Sequence, residues 1–206
     1  VEVSWKVRDI VRRCRETGDL SEADIACLFN TRGMEFSFVV AQADALRQQV
    51  NGDTVSYVVN RNINYTNVCY FKCQFCAFSK GKQSENLRGR PYDITGEDIA
   101  ARCVEAWERG ATEVCMQGGI HPDYTGQTYL DIVHTVRSVA PELHIHAFSP
   151  LEVWQGAATL GVSVPTYLRQ LRLAGLNTLP GTAAEILHDE VRASLCPDKL
   201  NTAQWL

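Results

Sequence analysis

Cys69, Cys73 and Cys76 stand in the run Asn67-Val-Cys-Tyr-Phe-Lys-Cys-Gln-Phe-Cys-Ala-Phe78, a CxxxCxxC spacing with an aromatic residue before the last thiol. Structural zinc takes four ligands in tetrahedral geometry, and cubane clusters are ordinarily held by four cysteines. Three thiols on one short loop therefore suit a [4Fe-4S] cluster with one iron left open. An open coordination position lets a substrate or cosubstrate bind the metal directly, which is what catalysis requires. The competing reading is a zinc knuckle completed by a distant fourth ligand, Cys103, Cys115 or His121, although zinc motifs usually show two paired ligand sets. A disulfide framework fits less well. Eight cysteines in 206 residues are few for a stapled secreted mini-domain, and the chain shows no signal peptide or transmembrane run, so a reducing, cytoplasmic setting is expected.

Other residues with chemical potential follow short apolar runs. Gly118 and Gly119, in Met116-Gln-Gly-Gly-Ile-His-Pro122, let backbone approach a ligand closely, though a glycine pair is also an ordinary turn. Gly181 and Thr182 are expected to open a helix whose free N–H groups favour an anion such as a carboxylate; the plainer role for Thr182 is capping. Phe75 offers a flat apolar face for an adenine ring, with packing as its competing role. His144 and His146 alternate with Leu143, Ile145 and Ala147, so both point to one side of a strand. His146, nearer the strand end, is the pocket candidate and His144 the structural one. His121 follows the glycine pair as a further ligand contact, whereas His134 and His188 read as helix-surface residues.

These groups need a scaffold. Residues 1–53 read as helical: Trp5, Ile10, Val11 and Cys14 mark one amphipathic stretch, Ser21 with Asp24 caps a second, and Phe36, Val40, Ala43, Leu46 and Val50 keep helical spacing until Asn51-Gly52 stops a third. Packing is the role expected of their apolar residues. From Thr54 the pattern changes to short β-rich runs, Thr54–Val59, Thr112–Met116, Leu143–Phe148 and Asn177–Leu179, each followed by a turn and a helix-like segment. The helices carry their own signals: Thr95 before Asp98, Gly110 as a stop, the stripe Tyr129, Ile132, Val133 and Val136, and a capping box in Thr182-Ala-Ala-Glu185. Such a βα repeat makes an α/β fold with parallel strands joined by right-handed crossovers, and barrels of this kind work at the C-terminal ends of their strands. The cysteine loop, the glycine pair, His146-Ala-Phe-Ser-Pro-Leu-Glu152 and Pro180-Gly-Thr182 all fall at those ends. By that placement His146 and Glu152 are candidates for catalysis, and Ser149, Gly181 and Thr182 for cofactor binding.

The composition, 45% hydrophobic and 21% charged with a formal net charge of −4, is that of a globular protein and gives no reason to invoke nucleic acid or a membrane. Lys80, Lys82, Arg88 and Arg90 gather after the cysteine loop, but Glu85 and Asp93 dilute them, so a solvated loop is expected.

The cysteine motif resembles the radical SAM superfamily. A narrower resemblance, to the CofH-type subunit or half of FO synthase, rests on Val59-Asn-Arg-Asn-Ile-Asn-Tyr-Thr-Asn-Val-Cys69, Cys76-Ala-Phe78, Cys115-Met-Gln-Gly-Gly-Ile-His-Pro122, His144-Ile-His-Ala-Phe-Ser-Pro-Leu-Glu152 and Leu179-Pro-Gly-Thr-Ala-Ala-Glu-Ile-Leu187, continued by Glu190-Val-Arg192. It implies a partial (βα)6 TIM-like barrel in which Cys69, Cys73 and Cys76 hold the cluster. Gln117, Gly118 and Gly119 match the motif that contacts the methionine amino group of S-adenosylmethionine, and Phe75 matches the aromatic beside its adenine. The reaction implied starts from a 5'-deoxyadenosyl radical, breaks the Cα–Cβ bond of L-tyrosine and adds the 4-hydroxybenzyl fragment to 5-amino-6-(D-ribitylamino)uracil, on the way to the FO chromophore of coenzyme F-420. A one-electron donor and the partner FO synthase half, as subunit or fused module, are the implied partners.

With four strand candidates where the family's barrel has six, residues 54–206 are expected to be the N-terminal part of such a barrel, about four βα units, in a chain cut from a longer one. Two alternatives within the chemistry are a menaquinone futalosine-pathway enzyme and the other FO synthase half. From another class, the alternative is a zinc-stabilised binding module.

Overall fold

The computed structural model describes residues 2–71, 73, 75–78 and 90–206. Lys80, Lys82, Glu85 and Arg88 lie outside the described residues. The chain divides into two compact units, Val1–Tyr57 and Val58–Leu206.

The first unit holds α1 (Trp5–Thr17), α2 (Glu22–Phe29) and α3 (Gly33–Asn51). Ser4 caps α1 by accepting from the Val7 N–H, and left-handed Gly18 ends it. Ser21 and Asp24 form the reciprocal box expected at the start of α2, and α3 stops at Gly52. Packing follows the sequence less closely. Ile10 and Val11 are buried as their spacing implies, but Trp5, Phe36, Val40 and Val50 are exposed, and α3 buries none of its residues. A unit of this size has too little interior to bury every apolar face it carries.

The second unit is α/β, with β1 (Asn60–Asn64), β2 (Glu113–Gln117) and β3 (His144–Ala147) in a parallel sheet of order β1-β2-β3. Register places Asn62 beside Cys115 and Cys115 beside His146. The crossovers run through α4 (Gly96–Glu108) and α5 (Gly126–Val139), followed by α6 (Pro150–Leu160), α7 (Val164–Ala174), α8 (Asp189–Leu195) and α9 (Thr202–Trp205). The three parallel strands with helical crossovers are the arrangement of part of a TIM-like barrel.

Strand alternation sorts the residues by face. Ile63, Val114, Met116, Ile145 and Ala147 are buried together with Ile99, Cys103 and Ala106 of α4 and Tyr129, Ile132, Val133 and Val136 of α5, so the stripe read from α5 does face the core. The other face carries exposed Asn62 and partly exposed Asn64, Cys115, Gln117, His144 and His146.

Two strand expectations are corrected. Residues 54–59 are not a strand: Val55, Tyr57 and Val58 are exposed, and β1 begins at Asn60, where the pairing with β2 starts. β-branched content there lost to the register that buries Ile63. The fourth strand reduces to one parallel bridge, His146 to Thr178, supported by the Ala147 N–H donating to the Thr178 carbonyl at 3.0 Å. Instead of about four strands, the sheet has three among the described residues.

Candidate functional site

The site begins where the strands end. Tyr65 leaves β1 by donating its N–H to the Gln117 carbonyl at 3.2 Å. The Gly119 N–H then donates to the Thr66 carbonyl at 2.9 Å, and the Tyr70 N–H to the Ile120 carbonyl at 3.1 Å. These two bonds lay the start of the cysteine loop along the glycine pair. A second seam fixes its other side: Asn67 donates from Nδ2 to the Arg90 carbonyl at 3.2 Å and accepts at Oδ1 from the Tyr92 N–H at 2.8 Å. Under the loop lies a small apolar cluster, Phe71, Ile120, Leu151 and Leu200, with Cys69, Cys73 and Ala183 packed against it.

Above it is a cavity of about 240 Å³. Cys69, Cys73, Cys76 and Phe75 line it from the first strand end, Gln117, Gly118 and Gly119 from the second, Ser149 and Glu152 from the third, and Thr182 from beyond the Thr178 bridge. Ten of the thirteen residues singled out from sequence thus meet in one place. His121, His146 and Gly181 do not line it. His146 Nδ1 pairs with Thr178 Oγ1 at 2.7 Å, and His144 Nε2 pairs with the same hydroxyl at 2.8 Å, which bears out their common side and makes a histidine pair around one threonine.

Glu152 is a buried carboxylate where three strand ends meet. Its Oε2 accepts from the Ser149 N–H and hydroxyl, both at 2.6 Å. Its Oε1 accepts from the Gly118 N–H at 3.2 Å and from the Tyr65 hydroxyl. Ser149 Oγ in turn caps α6, with proline in the first turn, so one N-terminal capping box has been extended to hold the glycine loop. Burial pushes the Glu152 carboxyl above its usual range, against the pull of the bonds from Ser149, Tyr65 and Gly118. Nothing in the sequence position of Tyr65 signals this partner, which lies 87 residues away.

The expected helix at Gly181 and Thr182 is absent. Residues 181–187 are irregular apart from a turn at Thr182 and Ala183, α8 starts only at Asp189, and Ala183 and Glu185 have positive φ of 64° and 47°. A left-handed backbone at two non-glycine residues breaks the helix that a capping box would start, and with it goes the helix-terminus argument for an anion there. Thr182 keeps a different claim on the site: its buried hydroxyl oxygen has no hydrogen-bond partner among the described residues.

Lys199, Glu185 and Ala183 also line the cavity, the first from outside every motif read in the sequence. Lys199 Nζ lies 2.7 Å from Glu185 Oε1 and 5.4 Å from the centre of the Phe75 ring. Burial raises the Cys73 thiol above its usual range, and the Lys199 charge opposes that rise.

The donor set fits an iron–sulfur cluster with a bound cosubstrate. Three thiols of one loop line one cavity, and the Gly119 backbone comes close enough that a Cβ would lie 2.2 Å from the Val68 carbonyl oxygen. Thr182 Oγ1, without a hydrogen-bond partner among the described residues, offers a polar contact. The zinc alternative fits less well. Cys103 lies in the core with its thiol pushed up to about 11 by burial, the Cys115 sulfur lies 3.9 Å from Gln117 Nε2, and His121 stacks on Tyr124 at 4.8 Å; none of the three lines the cavity. Among the described residues, no three His, Cys, Asp or Glu side chains are grouped to hold a single metal ion, and no helix is long and apolar enough to cross a membrane.

Comparison with known proteins agrees with this geometry. The Radical SAM superfamily profile matches residues 63–206. The chain is 46% identical over 99% of its length to a Cyanothece sp. protein named 5-amino-6-(D-ribitylamino)uracil--L-tyrosine 4-hydroxyphenyl transferase, and covers 54% of that protein. It is 46% identical over 93% of its length to the FO synthase of Mycobacterium leprae, of which it covers 22%. The chain therefore spans about half of one relative and about a fifth of the other. The FeFe-hydrogenase maturase HydG of Carboxydothermus hydrogenoformans shares the fold, with a TM-score of 0.71 at 17% identity over 97% of this chain and 43% of that one.

Proposed function

We propose a function on one premise: this chain belongs to the radical SAM superfamily. It is the cluster-bearing part of a transferase of FO biosynthesis that cleaves L-tyrosine and passes the 4-hydroxybenzyl group to 5-amino-6-(D-ribitylamino)uracil. The observation that carries the substrate assignment is the likeness to the Cyanothece transferase along nearly the whole chain. The sheet and its Thr178 bridge belong to a partial (βα)6 barrel, with residues 54–206 as its N-terminal part and residues 1–53 as a helical segment before it. A one-electron donor and the partner FO synthase half complete the system. A reducing, cytoplasmic setting is the one in which such a cysteine loop works.

Cys69, Cys73 and Cys76 hold a [4Fe-4S] cluster, and Gly118, Gly119 and Thr182 hold S-adenosylmethionine with its adenine beside Phe75. Bound there, the two would supply the one-electron chemistry that generates a 5'-deoxyadenosyl radical for hydrogen abstraction from the substrate. The protein's task is placement. Gly118 and Gly119 line the cavity with no side chain in the way, Glu152 fixes that backbone through the Gly118 N–H, and Phe71, Ile120 and Leu151 form an apolar floor that keeps water from a reactive carbon radical.

The test is product analysis. The full-length protein, given dithionite, S-adenosylmethionine, L-tyrosine and the ribitylaminouracil without oxygen, should yield 5'-deoxyadenosine and a 4-hydroxybenzylated uracil adduct. Aminofutalosine or another non-uracil product under matched conditions would overturn the substrate assignment and leave the superfamily standing.

A further inference from the structure

We infer that Lys199 is a charge-setting residue of this cavity, whose fixed ammonium group raises the reduction potential of the cluster held by Cys69, Cys73 and Cys76. The inference rests on the cluster reading above and assigns a role to a residue outside every motif that led to it.

Lys199 is held firmly in place. Its ammonium group sits against Glu185 at 2.7 Å and over the ring of Phe75 at 5.4 Å, and Phe75 lies between Cys73 and Cys76 in the chain. Its side chain is only 12% exposed. Behind it, the buried Arg192 guanidinium donates from Nε and Nη2 to the Leu200 carbonyl at 2.9 and 2.6 Å. From Nη1 it donates to the carbonyls of Ala184 and Ile186. One guanidinium therefore ties the segment that carries Lys199 to the left-handed turn that carries Glu185. The backbone strain of Ala183 and Glu185 is borne where these two segments form the cavity wall.

Counting charges gives the sign of the effect. Lys199 and Arg192 are cations and Glu185 is one carboxylate, so the group carries a net positive charge. A cluster on three thiolates is anionic, and its potential depends on net charge, hydrogen bonding and solvent exposure. A fixed cation in a poorly solvated wall acts more strongly than one in water, and it favours the state with one more electron.

The experiment is an EPR-monitored redox titration of the anaerobically reconstituted full-length protein. Lys199→Met, which keeps the aliphatic stem and removes the charge, should lower the midpoint potential, so that a several-fold smaller fraction of cluster is reduced at a fixed ambient potential. Lys199→Arg should restore that fraction, and Glu185→Gln should move the potential upward. A merely structural role would not give opposite shifts for the two partners. An unchanged potential in Lys199→Met with full iron content overturns the inference. If Lys199→Met fails to hold iron, Glu185→Gln decides, because a null or downward shift there overturns it as well. A wild-type protein without any [4Fe-4S] signal would instead defeat the cluster reading.

Discussion

The ring of Tyr65 fills the space beside Gly118: a Cβ built on Gly118 would lie 2.3 Å from Tyr65 Cε2. The ring has little room to yield, because Tyr65 is fully buried and its hydroxyl is bonded to Glu152. Gly119 meets something else, the Val68 carbonyl oxygen at 2.2 Å and Cys69 Cβ at 2.8 Å. Two adjacent glycines thus protect different parts of the site.

That difference is measurable. Gly118→Ala should cost roughly 1–3 kcal/mol of stability through overpacking and weaken S-adenosylmethionine binding while iron is retained. Gly119→Ala should press on the cysteine loop and lower iron content. Iron per chain and urea unfolding of both variants check the contrast, and equal iron loss in the two would contradict it.

Glu152 predicts a pH dependence whose sign follows from burial. Its carboxyl is raised in the folded protein above its ordinary value of 4.5, so the native state binds that proton more tightly than the unfolded chain does. The contribution is fully present below the unfolded value and is lost as pH rises through the folded one. Against Glu152→Gln, which cannot ionise, the full-length wild type should therefore lose stability as pH climbs above the ordinary carboxyl value of 4.5. Urea midpoints across that range test this, and a constant difference between the two proteins would contradict it.

Thr182→Val removes a hydroxyl that has no hydrogen-bond partner among the described residues. Stability should change little. Affinity for S-adenosylmethionine should fall by about three- to tenfold, the equivalent of one lost hydrogen bond, as read by calorimetric titration. An unchanged affinity would take Thr182 out of the ligand site.

The strand-end groups were legible because each stands after a short apolar run, where a parallel α/β fold concentrates its chemistry. Local rules failed where tertiary structure decides. Asn60-Arg-Asn-Ile-Asn64 has little β propensity, yet it forms β1 because Ile63 reaches the core and the register follows. Thr182-Ala-Ala-Glu185 spells a capping box, yet the Arg192 clamp holds those residues in a turn. Tyr65 and Lys199 join the site through Glu152 and Glu185, 87 and 14 residues away, and no local pattern encodes such pairings.

The central claim is that three thiols on one loop hold a cluster with an iron open to cosubstrate, and EPR of the reduced full-length protein before and after S-adenosylmethionine tests it most directly. The account predicts about one [4Fe-4S] cluster per chain and a signal that changes when S-adenosylmethionine is added. That signal should be lost in Cys69→Ala, Cys73→Ala and Cys76→Ala and kept in Cys103→Ala, whose thiol lies in the core. Bound zinc without labile sulfide, with metal lost in Cys103→Ala and kept in Cys73→Ala, would contradict it.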